Sequence, residues 1–138
     1  MNNFINISDL SKNELRSIID GAKKRKSARE KKLHSQPDAD QPLQGKTMIM
    51  IFEKTSTRTR ISFDLAVKQL GGSSIILNQD EIHYGKGDET IKDTAKVLSQ
   101  YADILMIRTD SHKNVDEFKK HLDIPTVSYT HLTLPTKA

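Results

Sequence analysis

The chain of 138 residues contains no cysteine and no tryptophan, and aromatic residues make up 5% of it. Without cysteine, neither a disulfide framework nor a thiolate metal site can form. The sequence also lacks an apolar run near the roughly 20 residues that span a bilayer, and its N-terminus has no signal-peptide pattern. We therefore expect a cytoplasmic protein of one domain with no membrane partner, and no residue pattern suggests a metal or an organic cofactor.

The formal net charge of +4 invites a nucleic-acid interpretation, so the position of the excess charge matters. Residues 1–32 contain nine Lys or Arg against four Asp or Glu, while residues 33–138 contain thirteen against fourteen. Most of the excess lies in the run Lys23–Lys32, which has no interleaved aromatic residue to stack on bases. Such a run is more often a solvated helix face, and we predict no nucleic-acid partner.

The N-terminal segment is predicted to be an amphipathic helix. Ser11 and Glu14 have the spacing of a capping box. Apolar residues then follow at helical spacing, so that one face can pack, at Leu15, Ile18, Ile19 and Ala22. The stretch 34–42, rich in proline and aspartate, predicts a loop after this helix.

From Gly45 onward, short apolar runs alternate with helical segments. The predicted strands are Thr47–Phe52, Ser73–Asn78, Asp103–Thr109 and Ile124–Tyr129, and the first three alternate too little to be half exposed. The helices between them should send to the core Ile61, Leu65 and Val67, then Ile91, Ala95 and Leu98, then Val115, Phe118 and Leu122. This order predicts the α/β class: a parallel sheet flanked by helices on both faces, preceded by an N-terminal helix.

The loop after the first predicted strand is rich in hydroxyl and basic side chains. In parallel α/β sheets, ligands bind at the carboxyl ends of the strands, where such loops converge. A helix that starts near Ser56 or Thr57 would present unpaired backbone N–H groups there, together with the positive end of its dipole. These groups, with the hydroxyls of Ser56, Thr57 and Thr59 and the planar guanidinium of Arg58, predict a site for phosphate or another anion.

A plainer interpretation of the same loop stays open at this point. Ser56 or Thr57 can be an ordinary helix cap, and Arg58 can be a surface residue. Arg60 would point about 200° away from Arg58 on a helix, so we expect it to pair instead with a carboxylate such as Asp64.

The stretch FEKTSTRTRISFDLAVKQLGG resembles the carbamoyl-phosphate signature of the aspartate and ornithine carbamoyltransferases, whose shared core is Ser-Thr-Arg-Thr-Arg followed by a Ser-Phe pair. The Glu-Lys-Thr before this core is similar to the ornithine branch of the family. A second stretch, ETIKDTAKVLSQYADILMIRT, resembles the next helix and strand of the family and includes Arg108 near its end. The likeness runs from the N-terminal helix to about Pro125.

The resemblance implies that residues 1–125 form a carbamoyl-phosphate-binding domain. The phosphate would lie on the turn formed by Ser56, Thr57, Arg58 and Thr59, where Arg58 would stabilise charge on the leaving phosphate as an amine attacks the carbamoyl carbon. Arg108, at the end of a neighbouring strand, would reach the carbamoyl oxygen or the phosphate from the other side. Arg58 and Arg108 are thus the implied catalytic residues. Without the resemblance, Arg108 would be interpreted as an exposed residue at a strand end.

The loop Asn78–Glu89 departs from the usual family pattern and carries one residue more. In the family this loop completes the site of a neighbouring subunit in a trimer, so the resemblance implies a homotrimer for the full-length parent. His83 falls where a glutamine is expected, and it is the candidate for a further contact with carbamoyl phosphate. A lone histidine is nevertheless more often a structural or surface residue.

Residues 126–138 do not continue the family pattern. The family has a His-Pro-x-Gln motif and then a second α/β domain that binds ornithine, whereas here a leucine follows His131 and no glutamine comes after it. We therefore expect residues 126–138 to be a non-native tail and the ornithine-binding domain to be absent. Ornithine would bind only with that domain, so this chain by itself should have little or no transferase activity.

The implied reaction of the full-length parent transfers a carbamoyl group from carbamoyl phosphate to L-ornithine, giving L-citrulline and phosphate in arginine metabolism. One alternative keeps the chemistry and changes the acceptor to aspartate, putrescine or an acylated ornithine. Another is a non-enzymatic basic module that binds phosphorylated ligands or nucleic acid. The residues that choose the acceptor lie mainly in the missing domain.

Overall fold

The computed structural model describes residues 3–53, 56–82 and 90–129. Within these ranges α-helices and strands alternate, and two short 3₁₀ helices lie at Ile7–Asp9 and Gln79–Glu81. In chain order the longer elements are α1 (Lys12–Ala28), β1 (Thr47–Phe52), α2 (Thr57–Gln69), β2 (Ser73–Asn78), α3 (Ile91–Tyr101), β3 (Ile104–Arg108), α4 (His112–His121) and β4 (Thr126–Ser128). None of the helices in this part of the chain is long and apolar enough to cross a membrane.

The four strands form one parallel sheet with the order β2-β1-β3-β4. The predicted α/β class is therefore confirmed. Strand β1 pairs with β2 on one side and with β3 on the other, where Phe52 lies beside Arg108. The strand order reverses between β1 and β3, so the loops that leave their carboxyl ends flank a crevice, which is where ligands bind in such sheets.

Helices cover both faces of the sheet. Successive residues of each strand point to opposite faces, so each strand contributes to two separate clusters. On one face, α2 contributes Val67 and Phe63 to a cluster with Met48, Met50 and Phe52 of β1. On the other face, α3 and α4 pack against the alternate strand residues, in a cluster that includes Ile49, Ile51, Ala95, Leu98, Leu105, Ile107, Val115 and Phe118. The predicted core positions of α3 and α4 are thus confirmed.

Two burial predictions for the sheet and the helices after β1 are wrong. Ile61 is 59% exposed, because the inward face of α2 runs through Thr59, Phe63 and Val67, and Ile61 lies two positions from the first two of these. Strand β2, expected to be buried, alternates between exposed and half-buried residues, with Ile75 at 47% exposure. It lies at the edge of the sheet, where one neighbouring strand is missing.

The predicted helix α1 is present, but its apolar face is not packed. No residue of α1 is buried, and Ile18 and Ile19 are 53% and 40% exposed. The helix is instead attached near its C-terminal end by Arg25 and Arg29, which both donate to the carboxylate of Asp38. Beyond that, Arg29 donates to the carbonyl oxygens of residues 33, 34 and 36.

The segment predicted to be a non-native tail lies partly inside the described residues. Thr126–Ser128 form β4, and Phe4 pairs beside this strand through hydrogen bonds of 2.9 Å to Thr126 and Ser128. Ser128 is fully buried, and its hydroxyl is one of two buried hydroxyls in the described part of the chain with no hydrogen-bond partner. The domain boundary at residue 125 and the origin of the tail stay predictions.

Candidate functional site

Helix α2 begins directly after the turn that follows β1, and its first turn is open. Ser56 is the N-cap residue in extended conformation, and its carbonyl accepts the first helical bond from Arg60 N at 3.2 Å. The N–H groups of Thr57, Arg58 and Thr59 precede this bond and have no partner within the helix. The Ser56 side chain makes no capping hydrogen bond, and the first turn contains no acidic residue.

Arg108 reaches this open turn from β3. Its Nη1 donates to the Oγ1 atom of Thr59 at 3.1 Å. Thr59 is buried and Arg108 is half-buried. The structure therefore brings together two of the residues that the sequence singled out, 49 positions apart in the chain. A guanidinium beside the positive end of a helix dipole is unfavourable by itself, and a bound anion would offset both charges.

The other predicted site residues lie around the same turn. Thr57 and Arg58 are exposed, and Ser56 is half-buried, so a ligand from solvent can reach all three. Ser56 and Thr57 keep hydroxyls available at a point where the backbone N–H groups of the turn converge. The turn thus combines backbone donors that have no partner within the helix with hydroxyls and two arginines, which are the groups that suit a phosphate or carboxylate.

Arg60 does not form the expected ion pair with Asp64. The carboxylate of Asp64 instead accepts from Lys68 Nζ at 3.0 Å and from the hydroxyl of Ser74. The Ser74 hydrogen bond, and after it Lys68, lower the pKa of Asp64 against the opposing effect of burial. Both Arg60 and Lys68 lie four residues from Asp64, but only Lys68 follows the carboxylate, which is the more favourable order for such a pair. Arg60 acts on Asp64 only through its charge, which also lowers the pKa of that carboxyl. Arg60 remains an exposed residue on the same helix as Arg58.

An aromatic side chain packs against Arg108, and the sequence analysis did not anticipate it. The guanidinium carbon of Arg108 lies 5.2 Å from the ring centroid of Tyr129, within the range of a cation–π contact. Phe63 meets the Tyr129 ring edge-on, with the ring centroids 6.0 Å apart. Tyr129 lies in the segment 126–138 that the sequence analysis predicted to be a non-native tail.

Glu53 is the second feature that the sequence did not reveal. It follows β1, and its carboxylate accepts from the hydroxyl of Thr109 and from Asn114 Nδ2 at 3.4 Å. These partners follow β3 and lie in α4, so Glu53 connects the two strand ends that flank the crevice. The sequence feature that could have pointed to Glu53 is its position: it is the acidic residue directly after a buried strand and before the loop predicted to bind an anion.

Some predicted features fall outside the described residues. They are His83 with most of the surrounding loop, Lys54 and Thr55 between β1 and α2, and residues 130–138. The suggested contact of His83 with carbamoyl phosphate therefore stays a prediction. In the ranges that the structure does describe, no group of His, Asp and Glu side chains could hold a metal ion.

The basic run Lys23–Lys32 is partly neutralised by ion pairs. Arg25 lies 2.9 Å from Asp38 and 2.8 Å from Asp40, and Arg29 also pairs with Asp38. Burial opposes ionisation of Asp38, but the hydrogen bonds from Arg29 and Arg25 hold the pKa of this carboxyl below its usual value. Two arginines of this run, Arg25 and Arg29, are therefore already paired with carboxylates of the chain and would have to leave them to bind a polyanion.

Comparisons with known proteins agree with this geometry. Residues 2–138 match the family model described as aspartate/ornithine carbamoyltransferase, carbamoyl-P binding domain. The ornithine carbamoyltransferase of Rhizorhabdus wittichii is 45% identical over 125 residues, which cover 91% of this chain and 40% of that protein. The crystal structure of the anabolic ornithine carbamoyltransferase from Campylobacter jejuni aligns with a TM-score of 0.80 at 34% identity, covering 93% of this chain and 40% of the other.

A variant of N-acetyl-L-ornithine transcarbamylase aligns almost as well, with a TM-score of 0.78 at 28% identity over 98% of this chain and 44% of the other. The fold is that of an α/β domain with an open, acid-free helix turn at the carboxyl end of its first strand. The chain belongs to the aspartate/ornithine carbamoyltransferase family, whose members are carbamoyltransferases. It spans about 40% of the length of the relatives that it matches.

Proposed function

We propose that the first turn of α2 binds carbamoyl phosphate. In this proposal the phosphate accepts from the backbone N–H groups of the turn, from the hydroxyls of Ser56, Thr57 and Thr59, and from the guanidinium of Arg58. Arg108 approaches from β3 and binds the carbamoyl oxygen or the phosphate. The observation that carries the proposal is the open, acid-free first turn of α2 with the Arg108 guanidinium 3.1 Å from Thr59 Oγ1.

The two arginines would act as the catalytic groups of this half of the site. As an amine attacks the carbamoyl carbon, the bond to phosphate breaks and negative charge grows on the leaving group. Positive groups fixed in place before the reaction stabilise that charge without reorganisation, which is how such sites lower a barrier. Thr59 contributes by holding the tip of Arg108. No step of this scheme needs a metal or an organic cofactor.

For the full-length parent we propose the transfer of the carbamoyl group to L-ornithine, giving L-citrulline and phosphate. The support is that the relatives quoted above carry this enzyme's name. An acylated ornithine stays as the alternative acceptor, because the N-acetyl-L-ornithine enzyme has nearly the same TM-score as the ornithine enzyme. Assays of the parent with the two amines would separate them: turnover of the acylated amine alone would overturn the ornithine proposal.

The assembly expected for the parent, a homotrimer in which the His83 loop reaches a neighbouring site, belongs to the same proposal. Sedimentation of the full-length protein, with and without the substitution His83→Ala, would test it. A monomeric parent that turns over at a normal rate would contradict the shared site.

Calorimetry with a non-hydrolysable phosphonate analogue of carbamoyl phosphate tests the binding proposal on this chain. We expect Arg58→Ala to weaken binding about 10- to 100-fold, the range for loss of a charged hydrogen-bonding group. Arg60→Ala is the matched control, since it removes an exposed arginine from the same helix two positions away. The proposal fails if the folded chain does not bind the analogue, or if Arg60→Ala is as harmful as Arg58→Ala.

The same titration addresses the non-enzymatic alternative. A basic module that binds nucleic acid would bind DNA with strong salt dependence, and substitutions in Lys23–Lys32 would weaken it. Such binding without any analogue binding would favour that alternative. The ion pairs of Arg25 and Arg29 with Asp38 make nucleic-acid binding by this run less favourable, because the nucleic acid would have to displace that carboxylate.

A further inference from the structure

The turn after β3 is tied to the end of β1 by one acidic residue. Glu53 donates its backbone N–H to the carbonyl oxygen of Arg108 at 2.9 Å, which continues the pairing of the two strands by one step. Its carboxylate then accepts from the hydroxyl of Thr109, the residue next to Arg108, and from Asn114 Nδ2. The backbone of Glu53 therefore holds Arg108, and its side chain holds Thr109, the two residues joined by one peptide bond.

These contacts form part of a closed ring. The hydroxyl oxygen of Thr109 accepts from Ser111 N at 3.0 Å, and the hydroxyl oxygen of Ser111 accepts from Asn114 N at 3.3 Å. Asn114 completes the ring through its side-chain contact with Glu53. Thr109 is 2% exposed, so the ring is shielded from water at that point. The other three members of the ring are half-buried. Hydrogen bonds to a carboxylate are stronger than neutral ones, and a satisfied network favours one arrangement of its members.

The ring acts on Arg108 through the backbone. The tip of the Arg108 side chain is held by Thr59, while its root is held by the strand pairing and by the ring at Thr109. An arginine has several rotatable bonds, so fixing both ends is what gives its guanidinium one position. A displacement of about 1 Å in such a group can cost a large factor in a site that depends on geometry.

We propose that Glu53 is a positioning residue for the anion site: through Thr109 and Asn114 it sets where the Arg108 guanidinium lies relative to the first turn of α2. This role rests on the anion-binding function proposed above. Glu53 itself does not touch the ligand in this scheme. It orients a residue that does, which separates it from Arg58 and Arg108.

The first test replaces Thr109, because substitutions there can be matched in shape. Thr109→Val removes the hydroxyl and keeps the volume, so the buried site stays filled, while Thr109→Ser keeps the hydroxyl. We expect the valine variant to bind the phosphonate analogue roughly tenfold more weakly, the size expected for loss of a hydrogen bond to a charged group. The serine variant should bind within about twofold of wild type, in line with the retained bond. Equal affinities for wild type and the valine variant would overturn the proposal.

A double-mutant cycle separates positioning from general damage. Glu53→Gln should weaken analogue binding in the wild-type background and change it little in the Arg108→Ala background, since the residue that Glu53 orients is then gone. If the role of Glu53 were purely structural, Glu53→Gln would lower the unfolding temperature, and its effect on affinity would be the same in the wild-type and the Arg108→Ala backgrounds. That result would overturn the proposal.

A measurement without ligand keeps the two proposals distinguishable. The Nε–Hε resonance of Arg108 in an NMR spectrum reports the environment of the guanidinium in the free chain. Glu53→Gln should shift or broaden it, whereas Arg60→Ala should not. If wild type fails to bind the analogue, the binding function fails, while the resonance still tests the positioning. An Arg108 resonance unchanged in Glu53→Gln would overturn the inference.

Discussion

Ser11 and Ser56 each precede a helix, and the two helix ends are used differently. At α1, the Ser11 hydroxyl accepts from Glu14 N at 3.1 Å, and the Glu14 carboxylate accepts from Ser11 N at 2.7 Å, so the capping box is closed. At α2, the residue three positions after Ser56 is Thr59, whose hydroxyl accepts from Arg108 instead. The Ser56 side chain makes no cap bond, and the first turn of α2 is left without an acid.

The comparison shows that one substitution in a capping pattern can decide whether a helix end is structural or available to a ligand. In the closed box the serine hydroxyl accepts from the N–H of the third residue, while the glutamate accepts from the N–H of the serine and supplies the negative charge that the dipole favours. A threonine at that position leaves both for an external anion. The open end makes the start of α2 less stable, because a missing N-cap hydrogen bond costs about 1 kcal/mol of helix stability.

The largest effect should come from closing the open end. In Ser56→Asp the new carboxylate can accept from the free N–H groups of α2 and repel an incoming anion. We expect the affinity for the phosphonate analogue to fall by about 100-fold or more, because like charges in contact cost several kcal/mol. Calorimetry measures this loss. Ser11→Asp at the closed end is the matched control, and it should leave the affinity unchanged; an equal loss there would contradict the assignment of the site to α2.

A smaller effect should come from opening the closed end. Ser11→Ala removes the cap of α1 and should destabilise its first turn by about 1 kcal/mol. Because α1 buries no residue, the loss should appear as faster amide exchange in that turn, without a matching change in global unfolding. Ser56→Ala should have the reverse profile, with little change in the amide exchange of α2 and weaker analogue binding. If the two variants behave alike, the contrast between the two helix ends is wrong.

The smallest effect is a dependence on pH at the closed end. The backbone N–H of Ser11, and then its hydroxyl, lower the pKa of Glu14 from its ordinary value of 4.5. A carboxyl whose folded pKa is lowered stabilises the fold above its unfolded pKa and loses that contribution as the pH falls through the folded pKa. The first turn of α1 should therefore loosen on acidification below pH 4.5. The NMR shift of the Ser11 amide follows this change, and in Glu14→Gln it should no longer titrate.

Much of the fold followed from the sequence, because its signals are local. The bounds of β1 and β2 match the predicted runs, and the capping box of Ser11 and Glu14 placed the start of α1. The predicted core positions Val115 and Phe118 lie in α4, whose start is set by Ser111, a cap that accepts from Asn114 N. The open turn of α2 was likewise predictable, since the hydroxyls and arginines stand next to each other in the chain.

The errors concern contacts between distant residues. Burial of β2 depends on its place at the edge of the sheet, which a single strand does not encode. The outward position of Ile61 follows from which face of α2 meets Met50 and Phe52. The ring around Glu53 needs Thr109 and Asn114, more than 50 positions away, so no spacing rule could identify it. Arg108 could be assigned to the site before the structure because a family resemblance supplied the missing long-range information.

The polar anchor of α1 has a thermal consequence. Because α1 is fixed through Arg25 and Arg29 to the carboxylate of Asp38 and buries no residue, its release exposes little apolar surface. Heat capacity of unfolding comes chiefly from newly hydrated apolar surface. Detachment of α1 would therefore leave almost no heat-capacity step in calorimetry, while melting of the sheet, with Met50, Ile51 and Leu105 fully enclosed, would produce nearly all of it.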